Sequence, residues 1–309
     1  LPIWCNQTAA DQLGIDSKRD HMQRIGNLLR DPVFTAYMAQ SDTSLSAVME
    51  GRGSRSDRPV RISVQRHRYG DGKQLLLTRD VTLMEQAEAM RRDFVANVSH
   101  EIRTPLTVLS GFVETMQTLD LAGDDRQRYL SLMATQAHRM QTLVDDLLTL
   151  SRLEGSPVPG FHHELPLTRL MKACEQEAQG LSASLSADGH VQTIAFVIDE
   201  ALGHSVLLGE TRELQSALSN LVSNAVRYTP ADGRIQVSAQ RSADGGLQIE
   251  VQDSGAGIAA EHLPRLTERF YRVDRSRSRE SGGTGLGLAI VKHVMQRHGG
   301  SLAISSVLG

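Results

Sequence analysis

The sequence predicts a multidomain α+β protein, and three observations carry that reading. Two long stretches repeat apolar residues at alternating spacings of three and four. A C-terminal stretch mixes strand-like alternation with amphipathic helices, and an N-terminal stretch holds short strand-like runs between polar turns. At 309 residues the chain is long enough for two or three domains. The patterns divide it at 1–82, 83–155 and 156–309.

In the first region Val60, Ile62 and Val64 alternate with polar residues, Gly70-Asp71-Gly72 reads as a turn, and Leu75-Leu76-Leu77 follows, which predicts a hairpin. Arg52 to Pro59 reads as a loop. Thr82 and Glu85 have capping-box spacing, so a long helix is expected from there to about Leu121. Its seam is Val95, Val98, Ile102, Pro105, Leu109, Phe112, Met116 and Leu119. Gly123-Asp124-Asp125 interrupts the pattern, with an Asp available to cap a second helix. There the seam continues through Leu130, Met133, Ala137, Met140, Val144 and Leu147. Two such helices on a short loop make an antiparallel hairpin with a half-exposed seam. Pairing of two copies into a four-helix bundle is therefore expected.

Gly155 to Gly160 reads as a linker. Beyond it, strands are expected at Thr193–Asp199, Ser205–Leu208, around Ile235-Val237-Ala239 and around Leu247-Ile249-Val251, the last two joined at Asp244-Gly245-Gly246. Helices are expected at Arg212–Tyr228, with a stripe of Leu214, Leu218, Leu221, Ala225 and Tyr228, and at Gly285–His298 before Gly299-Gly300.

Hydrophobic residues make up 40% of the chain, enough for real cores, and the formal charge of −3 gives no electrostatic reason to expect nucleic-acid binding. Cys5 and Cys174 are the only two cysteines, which suits a reducing compartment and argues against a disulfide framework or zinc site. No run reaches the length of a membrane span. The chain begins at Leu1 rather than Met, so it is expected to be the cytoplasmic part of something longer, with a membrane anchor upstream.

Chemistry concentrates at four places. His100 lies on the first long helix at roughly 160° from the centre of the apolar seam, so its imidazole is expected in water beside Glu101. Asn220, Asn224 and Arg227 share an arc of about 60° on a later helix, a combination suited to a metal-bound polyphosphate or simply to a solvated face. Asp253-Ser254-Gly255-Ala256-Gly257-Ile258 follows a strand. Its carboxylate accepts hydrogen bonds only, which suits the adenine amine, although such a sequence is often just a turn. Gly282-Gly283-Thr284-Gly285-Leu286-Gly287-Leu288 opens the last helix, where backbone N–H groups can meet phosphates. The polar stretch with Arg272, Arg275, Arg277 and Arg279 reads as a lid over the triphosphate or as a solvated basic loop. His162, His163, His293 and His298 lack metal-ligand spacing and receive no role.

These segments together resemble the bacterial two-component sensor histidine kinases. The His100 region resembles the H box, Asn220 to Pro230 the N box, Asp253 to Gly257 the G1 box, Glu268-Arg269-Phe270-Tyr271-Arg272 the F box and Gly283 to Leu288 the G2 box, in the family's order. The wording of Phe94–Leu109 and Leu263–His293 is nearest the phosphate-regulon branch. Residues 1–82 resemble a PAS domain lacking its first strand, by Asn6, Ala9, Ala10, Leu13, Gly14 and Asp80-Val81-Thr82.

The resemblance implies a dimeric histidine-phosphotransfer hairpin and a Bergerat-type ATPase sandwich, with ATP and Mg²⁺ as cofactors and a response-regulator receiver domain as partner. By that match His100 is phosphorylated, Glu101 orients it, and Thr104 positions a water for the reverse phosphatase reaction. Asn224 is the principal Mg²⁺ ligand, supported by Asn220, and Asp253 reads adenine. Arg227 contacts phosphate, and Thr284, Gly285 and Gly287 border it. Tyr228, Gly255, Ile258, Phe270, Leu286 and Leu288 complete the site with Gly257 and Arg272. The chain stops at Ser306 to Gly309 where the family continues into a final strand, so a C-terminally truncated ATPase domain is expected. Two other functions stay open at this point: a Bergerat ATPase clamp without phosphohistidine, and a catalytically weakened sensory scaffold.

Overall fold

The computed structural model describes residues 4–308 apart from 17, 21–22, 41–44, 53–58, 71, 161, 186–190, 243–244 and 274–282. It divides into two compact units, Leu1–Ala96 and Asn97–Gly309.

In the first unit, α1 (Gln7–Leu13), α2 (Ile25–Leu29) and α3 (Pro32–Ala39) precede an antiparallel sheet of β1 (Ser46–Glu50), β2 (Arg61–Tyr69) and β3 (Lys73–Asp80) in that order. The side chain of Asn6 accepts from the N–H of Ala9, and Gly14 closes α1 in the left-handed region, so two of the residues behind the PAS resemblance are a helix's two caps. Phe34, Met49, Ile62 and Val64 form the core. Val64 lies opposite Ala47 on one side and Thr78 on the other, which puts the alternating apolar residues of β2 on the α3 face. The expected hairpin is β2–β3, with Tyr69 opposite Lys73; Asp71 lies outside the described residues.

The long helix α4 (Thr82–Thr118) starts where the sequence puts it, but the capping differs. Asp80 accepts from the N–H of Thr82, and the Thr82 hydroxyl donates to the same carboxylate while accepting from Arg61 N at 2.8 Å. Thr82 is thus tied to the sheet rather than to Glu85. These two hydrogen bonds hold the Asp80 carboxyl below its ordinary range.

In the second unit, α4 and α5 (Gly123–Gly155) form the hairpin. No Asp caps α5: Asp124 and Asp125 lie inside its first turn, where they complement the helix dipole. Of the expected α4 seam, Pro105 is buried, and Val98, Ile102, Leu109, Phe112 and Met116 are half-buried. Phe112 packs on Tyr129 at 5.4 Å between ring centroids. Val95, Leu119, Leu130 and Val144 of the expected seam remain exposed, as do Leu106, Val113 and Leu132 outside it, an apolar surface left open on a single copy.

The rest is a layered α/β structure. β5 (Thr193–Ile198) runs parallel to β7 (Arg234–Arg241), which pairs antiparallel with β8 (Leu247–Asp253); β4 (Glu164–Pro166) and β6 (Val206–Leu208) form a separate small ladder. α6 (Leu167–Leu185) and α7 (Thr211–Tyr228) cover the sheet, and α8 (Gly287–Arg297) packs on α7. Leu170, Met171 and Cys174 of α6 meet Leu218, Val222 and Val226 of α7 over Ile235 and Val237. Full burial of each large aliphatic stabilises by about 1.5–3 kcal/mol. The α7 stripe differs from the expected one. Leu218 and Ala225 are buried, but so are Ala217, Val222 and Val226, while Leu221 is half-buried and Tyr228 is 51% exposed. The helix is packed on two sides, by the sheet and by α8, so its buried arc is wider and centred elsewhere than a one-sided stripe would be.

Candidate active site

His100 sits on the exposed side of α4. The Thr104 hydroxyl donates to the His100 carbonyl at 3.1 Å, the usual back-bond of a helical threonine. One residue on, Pro105 has no N–H to offer the Glu101 carbonyl. The Glu101 side chain is held by guanidinium groups: Arg139 Nη2 of α5 donates to its Oε2 at 3.1 Å, and Arg272 Nη1 lies 3.7 Å from the same oxygen. The carboxylate expected to orient the imidazole therefore faces one arginine from the hairpin and one from the F-box segment.

The nucleotide-type motifs converge on α7. Asn220, Asn224 and Arg227 are all half-buried, neither core nor free surface. Asn220 Nδ2 donates to the Ser216 carbonyl at 2.9 Å, and its Oδ1 faces the start of α8 so closely that a Cβ on Gly287 would lie 2.6 Å away. Among the described residues, no hydrogen bond is made by the Asn224 carboxamide. Its oxygen is available for a cation, and it is not crowded by the start of α8 as the Asn220 oxygen is.

At the end of β8 the exposed Asp253 turns one oxygen back on itself: Oδ1 accepts from Gly255 N at 2.9 Å. This turn leaves Oδ2 for an outside donor. A Cβ on Gly255 would sit 2.7 Å from the Tyr228 carbonyl, so glycine is what lets the loop approach the C-terminal end of α7. Ile258 N donates to Ser306 Oγ at 2.9 Å, fastening the end of this loop to the C-terminal segment.

The F and G2 segments are joined through their backbones. Phe270, with φ +62°, donates its N–H to the Gly285 carbonyl at 2.8 Å, and a Cβ on Gly285 would come within 2.9 Å of Phe270 Cα. Leu286 is fully buried and anchors the turn into α8. Gly287 opens that helix and Leu288 is half-buried in its first turn. Gly282, Arg275, Arg277 and Arg279 lie outside the described residues.

Several residues with consequences for the site gave no signal in the sequence. Thr284 Oγ1 donates to Asp146 Oδ2 of α5 at 2.6 Å. Burial raises the Asp146 carboxyl above its ordinary value, against the lowering effects of Thr284 and Arg227. Arg269 pairs with Glu154, which also lies 3.6 Å from His293. Burial pushes the His293 ring toward its neutral form, with Glu154 opposing. Arg297 binds the carbonyls of Leu153, Ser156 and Pro157 at 2.8–2.9 Å and grips Glu213 through Nε and Nη2 at 3.0 Å. His298, given no role by its spacing, has a structural one. Its Nε2 accepts from Glu210 N at 3.1 Å, Nδ1 meets the Val294 carbonyl at 2.9 Å, and a Cβ on Gly209 would strike the ring at 2.4 Å.

A family model for the His Kinase A (phospho-acceptor) domain matches residues 90–156, and one for the histidine kinase-, DNA gyrase B- and HSP90-like ATPase matches 209–309. The chain is 45% identical over 311 aligned positions to the phosphate regulon sensor protein PhoR of Pseudomonas aeruginosa, covering 99% of this chain and 67% of that protein. It is 30% identical to the Haemophilus influenzae protein of the same name, covering 98% and 68%. The sensor-like histidine kinase SenX3 of Mycolicibacterium smegmatis is 39% identical over 72% of this chain and 56% of its own length. Among solved structures, the histidine kinase ThkA in complex with response regulator protein TrrA has a similar fold, with TM-score 0.51, 19% identity and coverage of 96% of this chain and 85% of that one.

Proposed function

We propose a division of labour among named residues, on the premise that this chain belongs to the two-component sensor histidine kinases and is an ATP-dependent protein-histidine kinase related to the phosphate regulon sensors. One nitrogen of the exposed His100 imidazole attacks the γ-phosphorus of ATP. The new N–P bond forms as the bond to the bridging β–γ oxygen breaks, leaving phosphohistidine and ADP. The single observation that supports this assignment is the 3.7 Å approach of Arg272 to Glu101. It brings the F-box arginine to the residue next to His100, so the two halves of the reaction share one neighbourhood.

Asn224, with Asn220 behind it, fits a Mg²⁺ ion because its carboxamide oxygen is neutral, hard and not spent on protein donors. Such an ion would screen the charge of the triphosphate. Asp253 accepts the adenine amine through Oδ2. Arg227 and Arg272 neutralise phosphate oxygens, and the Gly285–Leu288 turn presents backbone N–H groups at the N-terminus of α8. Glu101, once released by Arg272, accepts from the second ring nitrogen and fixes the attacking tautomer. The phosphoryl group then moves to an aspartate of a response-regulator receiver domain, and Thr104 orients water for the reverse reaction.

The exposed seam of the hairpin pairs with a second copy. The bounds 1–82, 83–155 and 156–309 separate a PAS-like sensor, the hairpin and the ATPase domain of the cytoplasmic part of a membrane-anchored sensor of phosphate supply. No described helix is itself long and apolar enough to cross a membrane.

The test is labelling with γ-labelled ATP. The wild-type chain should acquire label that is lost in acid and survives base, and His100→Gln should take up none while still binding nucleotide. Retained label in His100→Gln would remove the assignment.

A further inference from the structure

Thr284 is buried at the bend before α8, and two groups meet at its hydroxyl oxygen. The N–H of Leu286 donates to it at 3.2 Å, and it donates to Asp146 at 2.6 Å. Asp146 thereby places a carboxylate at the N-terminal end of an 11-residue helix, within electrostatic reach of Arg227. A hydroxyl, a positive helix end and a guanidinium are the complement of a phosphate group.

A second contact repeats the pattern. Glu101, also on the hairpin, engages Arg272. Two hairpin acids thus face two residues from separate motifs of the nucleotide site. Folding of the hairpin does not call for this. Its buried side chains on α5 are Leu143, Leu150 and Leu153, and a half-buried acid at 146 carries a desolvation cost that an apolar residue would not.

We propose that Asp146 is an internal stand-in for a nucleotide phosphate, docking Thr284 onto the hairpin in a resting state that nucleotide must displace. The inference rests on the kinase reading above. A phosphate and the Asp146 carboxylate cannot share the Thr284 hydroxyl, because two anions at hydrogen-bonding distance from one donor repel. Docking weakens nucleotide binding, and by linkage nucleotide weakens docking by the same factor. The approach of His293 to Glu154 and the Arg297 contacts to residues 153–157 lie at the far end of the same α5–α8 interface, away from the phosphate end. They can persist while the Asp146 end opens.

The test is equilibrium binding of Mg-AMPPNP to the whole chain. Asp146→Ala should tighten binding about tenfold, within the usual range of coupling between sites. Asp146→Asn keeps the volume and can still accept from Thr284 without a charge, so it should tighten binding by a smaller factor. Asp145→Ala, which removes the exposed neighbouring charge, should leave affinity unchanged. Equal or weaker binding by both Asp146 variants would overturn the latch, and so would equal tightening by Asp145→Ala. Absence of nucleotide binding in all four proteins, wild type included, would instead sink the kinase reading on which the latch depends.

Discussion

Asn220 and Asn224 lie one turn apart on α7, yet their surroundings give them different work. The amide of Asn220 is already used by Ser216 and its oxygen packs against Gly287, whereas Asn224 has no such engagement among the described residues. Asn224→Ala should therefore cut Mg²⁺-dependent AMPPNP affinity by at least about tenfold, as loss of a charge-assisted contact does, with little change when EDTA is present. Equal affinity with and without the metal in both proteins would take Asn224 out of that role.

Cys174 differs from Cys5 in the same residue-level way. Burial, with help from Glu177, pushes its thiol up to about 11, so at neutral pH it is protonated as well as covered. One fast-reacting thiol per folded chain is expected with a disulfide reagent at pH 8, and two after denaturation. His100, Asn224 and Asp253 stand out in the sequence because each sits in a short segment whose residue types suggest a chemistry. Asp146 does not, because an acid on a polar helix face looks like any solvated charge until its partner, 138 residues away, is placed beside it.

Elements were legible where periodicity was strong and packing one-sided. β5, β7 and β8 fall within one to three residues of the expected spans, and α7 starts one residue before the expected Arg212 and ends at Tyr228 as expected. α6 gave no clear signal because its stripe beyond Met171 continues through Cys174, Ala178 and Ser182, small residues that bury well but read as weakly apolar. The stripe of α7 was misplaced for the opposite reason, an excess of neighbours. On α5, Leu150 is 1% exposed and is buried with Leu143 and Leu153, whereas Leu130, Leu132, Val144 and Leu148 are exposed. Leu150→Ala should cost about 2–5 kcal/mol in urea unfolding, whereas Arg128→Ala, at an exposed polar position of the same helix, should stay within about 0.5 kcal/mol. Similar losses for the two would mean that the hairpin lacks the one-sided burial described above.

For the molecule as a whole, the raised Asp146 carboxyl links acidity to stability. A native-state value above the unfolded one means that the folded chain binds the proton more tightly. The stabilising contribution is complete below the unfolded value of about 3.9 and is lost as pH rises through the native one. Comparing urea unfolding of wild type and Asp146→Asn from pH 3.5 upward should show wild type losing ground to the variant as pH increases. The opposite trend would contradict the burial that causes the shift.

Arg297 makes a larger structural contribution. Its side chain is 10% exposed and serves three carbonyls and one carboxylate, so Arg297→Ala strands a largely covered Glu213 and should cost about 3 kcal/mol. Lysine cannot replace the planar fork, and Arg297→Lys should recover only part of that loss.

The same arginine fixes the mechanics of the join between hairpin and ATPase layers. Gly155 to Gly160 was expected to be a linker, yet the carbonyls of Ser156 and Pro157 within it, and of Leu153 just before it, are riveted to Arg297 of α8. A tether with its play removed behaves as a drive shaft: turning α5 about its axis delivers torque to the nucleotide-binding layers, with no loose string to absorb the motion.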